Sequence, residues 1–137
     1  MNIKDIQSVT VPEGAPLLDI FEAQLQLEEN YHAIERETVG LDLIHPVDIH
    51  SHEGQARLKD LAFRCIAEIV ESTECLKNKP WKQTPMETDI MHFREEVSDA
   101  LHFFVAYCLA AGITAEQLYA LYFAKHDVNK FRQRSKY

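Results

Sequence analysis

The sequence is poor in the residues that staple, interrupt or anchor a chain. Its three cysteines, Cys65, Cys75 and Cys108, are odd in number and have no C-x-x-C spacing. A disulfide framework is therefore not expected, and reduced structural thiols are. Only four glycines and five prolines break up 137 residues, which leaves room for long uninterrupted elements. The longest apolar run, Ala100 to Ile113, is too short and too polar-flanked to span a bilayer. No charged start followed by a signal-peptide core is present, so a cytoplasmic location without membrane contact is expected. Positive charge is scarce: 14 Lys and Arg stand against 22 Asp and Glu, a net charge of −8. Generic nucleic-acid or anionic-membrane binding needs the opposite field, whereas a small anion held through a metal does not. No strand-like alternation, internal repeat or low-complexity stretch competes with helix.

What is present is helical periodicity in a chain long enough for one domain with a real core. Residues 1–15 read as an irregular lead-in, ending at Pro16, a favourable first helical residue. From Pro16 to about Thr38 the positions Leu17, Leu18, Phe21, Leu25, Tyr31 and Ile34 mark an apolar face, and Gly40 is the expected stop. Residues 40–54 form a connection with His45, His50 and His52. His50-x-His52 beside Asp48 is either a transition-metal site or a solvated loop, and the loop reading is the simpler one. A second helix runs from Gln55 to about Asn78, with Leu58, Leu61, Ala62, Cys65, Ile69 and Leu76 at helical intervals, and Pro80 ends it. The third begins at Thr88 or Asp89, both workable N-caps, and continues towards Gly112. Phe103, Phe104 and Tyr107 belong to its core face. Thr114, followed by Glu116-Gln117, opens a fourth helix reaching about Phe131 and burying Leu118, Leu121 and Tyr122. Residues 132–137 are a basic tail. The expected class is all-α, four or five helices in a bundle with short connections.

Two helices carry acidic residues three apart, Glu68-x-x-Glu71 and Glu96-x-x-Asp99. Residues so spaced lie on one side of a helix, and Glu74 and His102 continue the two rows. The second pair sits at the start of the most apolar helix, where an unpaired carboxylate is costly. If the two rows face each other, four carboxylates converge, a hard oxygen set suited to Mg²⁺ or Mn²⁺. Lys125, Asn129 and Arg132 lie on one side of the fourth helix and offer donors for phosphate oxygens. A divalent cation with such donors is the equipment of phosphoryl chemistry on a nucleoside triphosphate.

The series Ala67-Glu68-Ile69-Val70-Glu71, Trp81-Lys82, Glu96-Val97-Ser98-Asp99-Ala100-Leu101-His102-Phe103, Leu118-Tyr119, Tyr122, Lys125, Asn129, Phe131-Arg132-Gln133 and Tyr137 resembles the all-α nucleoside triphosphate pyrophosphatases. Within them it looks closest to the dimeric dUTPase branch and its phage relatives, with MazG-like proteins further off. The resemblance covers the chain from about Pro16 onward. It implies an oligomeric helical bundle that cleaves between the α- and β-phosphates, giving a nucleoside monophosphate and pyrophosphate. By the same resemblance Glu68, Glu71, Glu96 and Asp99 would hold two or more Mg²⁺ or Mn²⁺ ions, and Glu71, with Glu68, would act on the attacking water. Glu74 would stand behind them. Lys125, Asn129, Arg132, Lys82 and Tyr137 would contact phosphates and sugar. His102 either hydrogen-bonds a ligating carboxylate or the sugar, or is a core histidine. Trp81 either stacks on a base or plugs its loop.

The chain departs from the dUTPase pattern in its first helix. Where an amide is expected to read uracil, this sequence has Leu27-Glu28. A carboxylate only accepts hydrogen bonds, so Glu28 suits a base with adjacent donors, guanine above all, or the amino group of cytosine. dGTP is the expected substrate, with dUTP and dCTP as alternatives of the same class. Ser135-Lys136-Tyr137 stands where relatives have a glycine before the tyrosine, and the chain lacks the extra helical segment of dimeric dUTPases. A homodimer or homotetramer is expected, in nucleotide-pool control of a phage or its host cell. Two other classes remain open on the residues. One is a di-iron carboxylate bundle, for which only Asp99-x-x-His102 approaches the required Glu-x-x-His. The other is a non-catalytic helical interaction protein whose acidic rows are solvated.

Overall fold

A computed structural model of the chain describes residues 15–40 and 45–135. Most of the irregular lead-in and the tail residue Tyr137 therefore lie outside the described residues. Four α-helices make up the regular structure there, with no strand among them: α1 (Pro16–Val39), α2 (His52–Glu74), α3 (Ile90–Ala110) and α4 (Ala115–Arg134). The all-α class matches the periodicity. No single helix is long and apolar enough to cross a membrane.

The helix ends follow local chemistry. Pro16 opens α1, and Gly40 closes it at φ +69°, a conformation that costs a glycine little, with its N–H on the Arg36 carbonyl. Helix α2 starts three residues before the periodicity suggests, because Ser51 Oγ caps it by accepting the Gly54 N–H at 2.9 Å. A Cβ at Gly54 would run into the Asp48 carbonyl oxygen, so this tight entry requires glycine. The helix also ends earlier than expected, at Glu74, where a turn with Lys77 at φ 59° leads away well before Pro80. Asp89 caps α3 through the His92 N–H, and Thr114 and Gln117 form the capping box of α4.

Helices α2 and α3 form an antiparallel pair and the main packing unit. At one end of their seam Leu58 and Leu61 pack with Ala106 and Ala110, backed by Phe103 and Tyr107. Midway, the Cys65 thiol donates to the Ala100 carbonyl at 3.3 Å. At the other end the Asp89 N–H donates to the Cys75 carbonyl at 2.9 Å. The seam positions of α2, namely 54, 58, 61, 65, 68, 72 and 75, alternate steps of four and three, the spacing of a left-handed helix pair. The opposite side of α3 buries Val105 and Cys108 against Phe21 of α1 and Ala115 at the start of α4. All three cysteines are free, and Cys75 and Cys108 are buried.

Four faces differ from the sequence reading. On α1 the buried positions are Phe21, Gln24, Glu28 and His32, whereas Leu25, Tyr31 and Ile34 are exposed. On α4 only Ala115 is buried, and Leu121 and Tyr122 face outward together with Phe131. The cause is the 105° bend between α3 and α4, which carries α4 away from the α2–α3 pair. On α2, Ile69 is exposed along with Phe63, Ile66 and Val70, as is Leu76 just beyond the end of the helix, and on α3 Phe104 is exposed.

Truncating Leu61, 3 % exposed at the apolar end of the seam, removes contacts on both helices. Leu61→Ala is expected to cost about 2–5 kcal/mol in urea unfolding, against about 1 kcal/mol for loss of the α4 cap in Thr114→Ala.

Candidate metal centre

The apolar seam gives way to carboxylates where α2 reaches Glu68 and α3 reaches Glu96. One oxygen each from Glu68, Glu96 and Asp99 can lie within 4.8 Å of the others, close enough to share an ion. Glu71 is exposed at the rim and near enough to act electrostatically on Glu68 and to hydrogen-bond Glu96. The two acidic rows of the sequence therefore do face each other. Glu96 is buried, and Glu68 is partly so.

Crowding sets the protonation. Glu68 is pushed up to about 7, first by a hydrogen bond that its proton makes to Glu96, then by burial and the charges of Glu71, Glu96 and Asp99. Glu96 is held below the ordinary carboxylate value, chiefly by the same hydrogen bond, with help from His92 and Glu71 and against its own burial. His92 Nε2 lies 2.7 Å from Glu96 Oε1 and is one turn from it on α3. With both carboxylates ionised, Glu68 Oε2 and Glu96 Oε2 are buried without a hydrogen-bond partner. Below about pH 7 the pair ionises together only when a cation joins it. The all-oxygen donor set fits Mg²⁺ or Mn²⁺.

The cluster borders a cleft of about 480 Å³ between α1, α2 and α3. Asp99, His102 and Phe103 come from α3, Arg57, Leu61 and Arg64 from α2, and Gln24, Glu28 and Tyr31 from α1. Glu28, 6 % exposed, thus lies on the cleft wall, where its Oε1 accepts the Gln24 amide at 2.8 Å. His102 lines the same cleft, with Nδ1 donating to the Ser98 carbonyl at 2.8 Å, and takes no part in the carboxylate cluster.

Other residues singled out in the sequence lie elsewhere. Lys125 and Asn129 line a groove with Phe104 and Tyr122 on the α3–α4 corner that none of the four carboxylates enters. Arg132 is exposed three residues further along α4. Trp81 and Glu74 share a separate groove with Leu76 and Lys77, and Trp81 is 75 % exposed. Lys82 is exposed in the following loop. Asp48 Oδ1 accepts the His50 N–H in a turn, and His50 and His52 are exposed, in line with a solvated loop.

Arg57, Arg64, Gln24 and His92 were missed by the sequence reading, although a signal for the two arginines exists. Arg57, Leu61, Arg64, Glu68 and Glu71 repeat at steps of four and three, so α2 points both arginines along the side that carries its acidic pair. Both arginines contact Asp60, at 3.7 Å and 3.0 Å. A second cluster was also missed: Glu28, His32 and His45 bring three donor atoms within 4.8 Å of one another. No protein-family model, no curated protein and no solved structure matches the chain.

The shared proton predicts a pH dependence. The folded state holds the Glu68 proton more tightly than the unfolded chain does, so its contribution is complete below about pH 4 and is lost as pH rises towards 7. Glu96 has the opposite sign, losing its contribution as pH falls. In chelator, the thermal midpoint of the wild type is expected to fall between about pH 5 and 8, less so in Glu68→Gln, with Mn²⁺ restoring it in the wild type alone. A wild-type midpoint that is flat across this window would contradict the shared proton.

Proposed function

We propose that the chain is a metal-dependent nucleoside triphosphate pyrophosphohydrolase of the all-α type. The observation that carries this reading is the Glu68, Glu71, Glu96 and Asp99 cluster opening onto a cleft lined by Arg57 and Arg64. Mg²⁺ retains waters and is commonly held by a few carboxylates together with substrate phosphates, which is the geometry such a cleft can supply. In the proposed reaction, water attacks the α-phosphorus and the bond to the oxygen bridging α and β breaks. Nucleoside monophosphate and pyrophosphate result.

Each residue has a proposed task. Glu68, Glu96 and Asp99 ligate the ion, and His92 orients Glu96 from behind. Glu71, at the exposed rim, takes the proton of the attacking water. Arg57 and Arg64 turn from Asp60 to phosphate oxygens, for which their planar donor forks are suited. On the α1 wall, Gln24 and Glu28 form an amide–carboxylate pair facing the base, and dGTP is the substrate that best matches their excess of acceptors. dUTP and dCTP are the alternatives within the same chemistry.

We further propose a homo-oligomer, at least a dimer. Leu121, Tyr122 and Phe131 of α4 and Phe63, Ile66 and Val70 of α2 are exposed apolar side chains of the kind a second copy covers. In such an assembly Lys125, Asn129 and Arg132 of one copy would serve the cleft of another.

Pyrophosphate release from dGTP, dUTP, dCTP, dATP and dTTP, with Mg²⁺ or Mn²⁺, tests the reading. Release is expected to require the metal and to fall about 10²–10⁴-fold in Glu71→Gln. A folded, metal-loaded protein that releases nothing from any of them would overturn it in favour of a binding role. A preference for dUTP would remove Glu28 as the base reader and leave the chemistry standing.

A further inference from the structure

The cluster on the other side of Glu28 has a different chemistry. Glu28 and His32 are one turn apart on α1 and both buried, at 6 % and 8 % exposed. His45, on the connection to α2, folds back so that its Nε2 lies 3.2 Å from His32 Nε2, which is 3.6 Å from Glu28 Oε2. The connection is held there by the Val47 N–H on the Ala110 carbonyl, at 2.9 Å, and by Pro46 resting near Gly112.

Protons alone do not satisfy these three side chains. If His32 Nε2 donates to His45, then His45 Nδ1 must carry a hydrogen, and the Leu109 carbonyl near the ring lies outside hydrogen-bond geometry for that nitrogen. If His45 Nε2 donates instead, His32 Nε2 turns a lone pair towards the Glu28 carboxylate, and His45 Nδ1 becomes an acceptor without a donor. Doubly protonating the His45 ring is opposed by its burial and then by the neighbouring His32, which lower its proton affinity.

We infer that Glu28 Oε2, His32 Nε2 and His45 Nε2 form a binding site for Zn²⁺ or a similar first-row ion, separate in place and ligand type from the all-carboxylate centre. Zinc with Zn–N bonds of about 2.0–2.1 Å in a tetrahedron holds its donors about 3.3 Å apart, close to the observed 3.2 Å and 3.6 Å. Two imidazoles, a carboxylate and an open fourth position are an ordinary zinc donor set. The two rings are stacked 18° from parallel, so the His45 ring turns somewhat to aim its lone pair, which a residue on a loop can do. The Leu109 carbonyl lies near the His45 ring, where a ligating histidine places the acceptor for its second N–H. The ion takes Glu28 Oε2 and leaves Oε1, which accepts the Gln24 amide and keeps a second lone pair for the base. It would fasten α1, through residue 45, to the connection that packs on the end of α3.

The test is metal binding to the full chain in excess Mg²⁺, which occupies oxygen sites and competes poorly for imidazole. Zn²⁺ is titrated calorimetrically, and Co²⁺ reports coordination by its visible absorption. The wild type is expected to bind a single ion per chain with a tetrahedral Co²⁺ spectrum and a raised thermal midpoint. His45→Asn and, independently, His32→Asn are expected to weaken binding well over about tenfold, since even outer partners of a ligating histidine are worth that much. Glu68→Gln is expected to leave it unchanged. No Zn²⁺ uptake by the wild type, binding indifferent to both histidine variants, or binding lost in Glu68→Gln would each overturn the proposal.

Discussion

Helices α2 and α3 lie antiparallel along a seam that is apolar at one end and acidic at the other, and the remaining structure depends on it. Leu58 and Leu61 against Ala106 and Ala110 fix the register of the two helices. Small residues on α3 let the backbones approach, as the Cys65 bond to the Ala100 carbonyl shows. Once that register is set, the same steps of four and three that bury leucine at one end must bring Glu68 against Glu96 at the other. The acidic cluster is a geometric consequence of the seam.

That placement carries an electrostatic cost. Two carboxylates that meet at a buried seam either share a proton or share a cation. Without a cation the pair keeps a proton below about pH 7, with Glu68 raised and Glu96 lowered, and His92 reinforces the asymmetry. A purely structural seam would be more stable with apolar residues at both positions. The cleft beside it, with two arginines and polar residues from α1, extends the same polar interior.

Helix α1 is held differently. Its buried stripe of Phe21, Gln24, Glu28 and His32 is largely polar, so apolar burial alone holds it less well than α2 or α3. The two histidines and Glu28 tie its later turns to the connection that follows. The periodicity of α1 is misleading for this reason: Leu25, Tyr31 and Ile34 look like a core face, yet the face turned inward serves the cleft and the histidine cluster.

The order and class of the helices were readable in the sequence because caps and stops are local. Pro16, Gly40, Asp89 and the Thr114–Gln117 box act within one turn, and each falls where the pattern suggests. The convergence of Glu68 with Glu96 was readable too, because two rows of the same period on adjacent helices have few ways to pack. Tertiary structure alone decided the direction of α4, since a 105° bend after Gly112 leaves no trace in periodicity and reverses the expected burial of Leu121 and Tyr122. It also decided the meeting of His32 with His45, thirteen residues apart along the chain. Local patterns determine which residues share a face, and only the packed chain determines which faces meet.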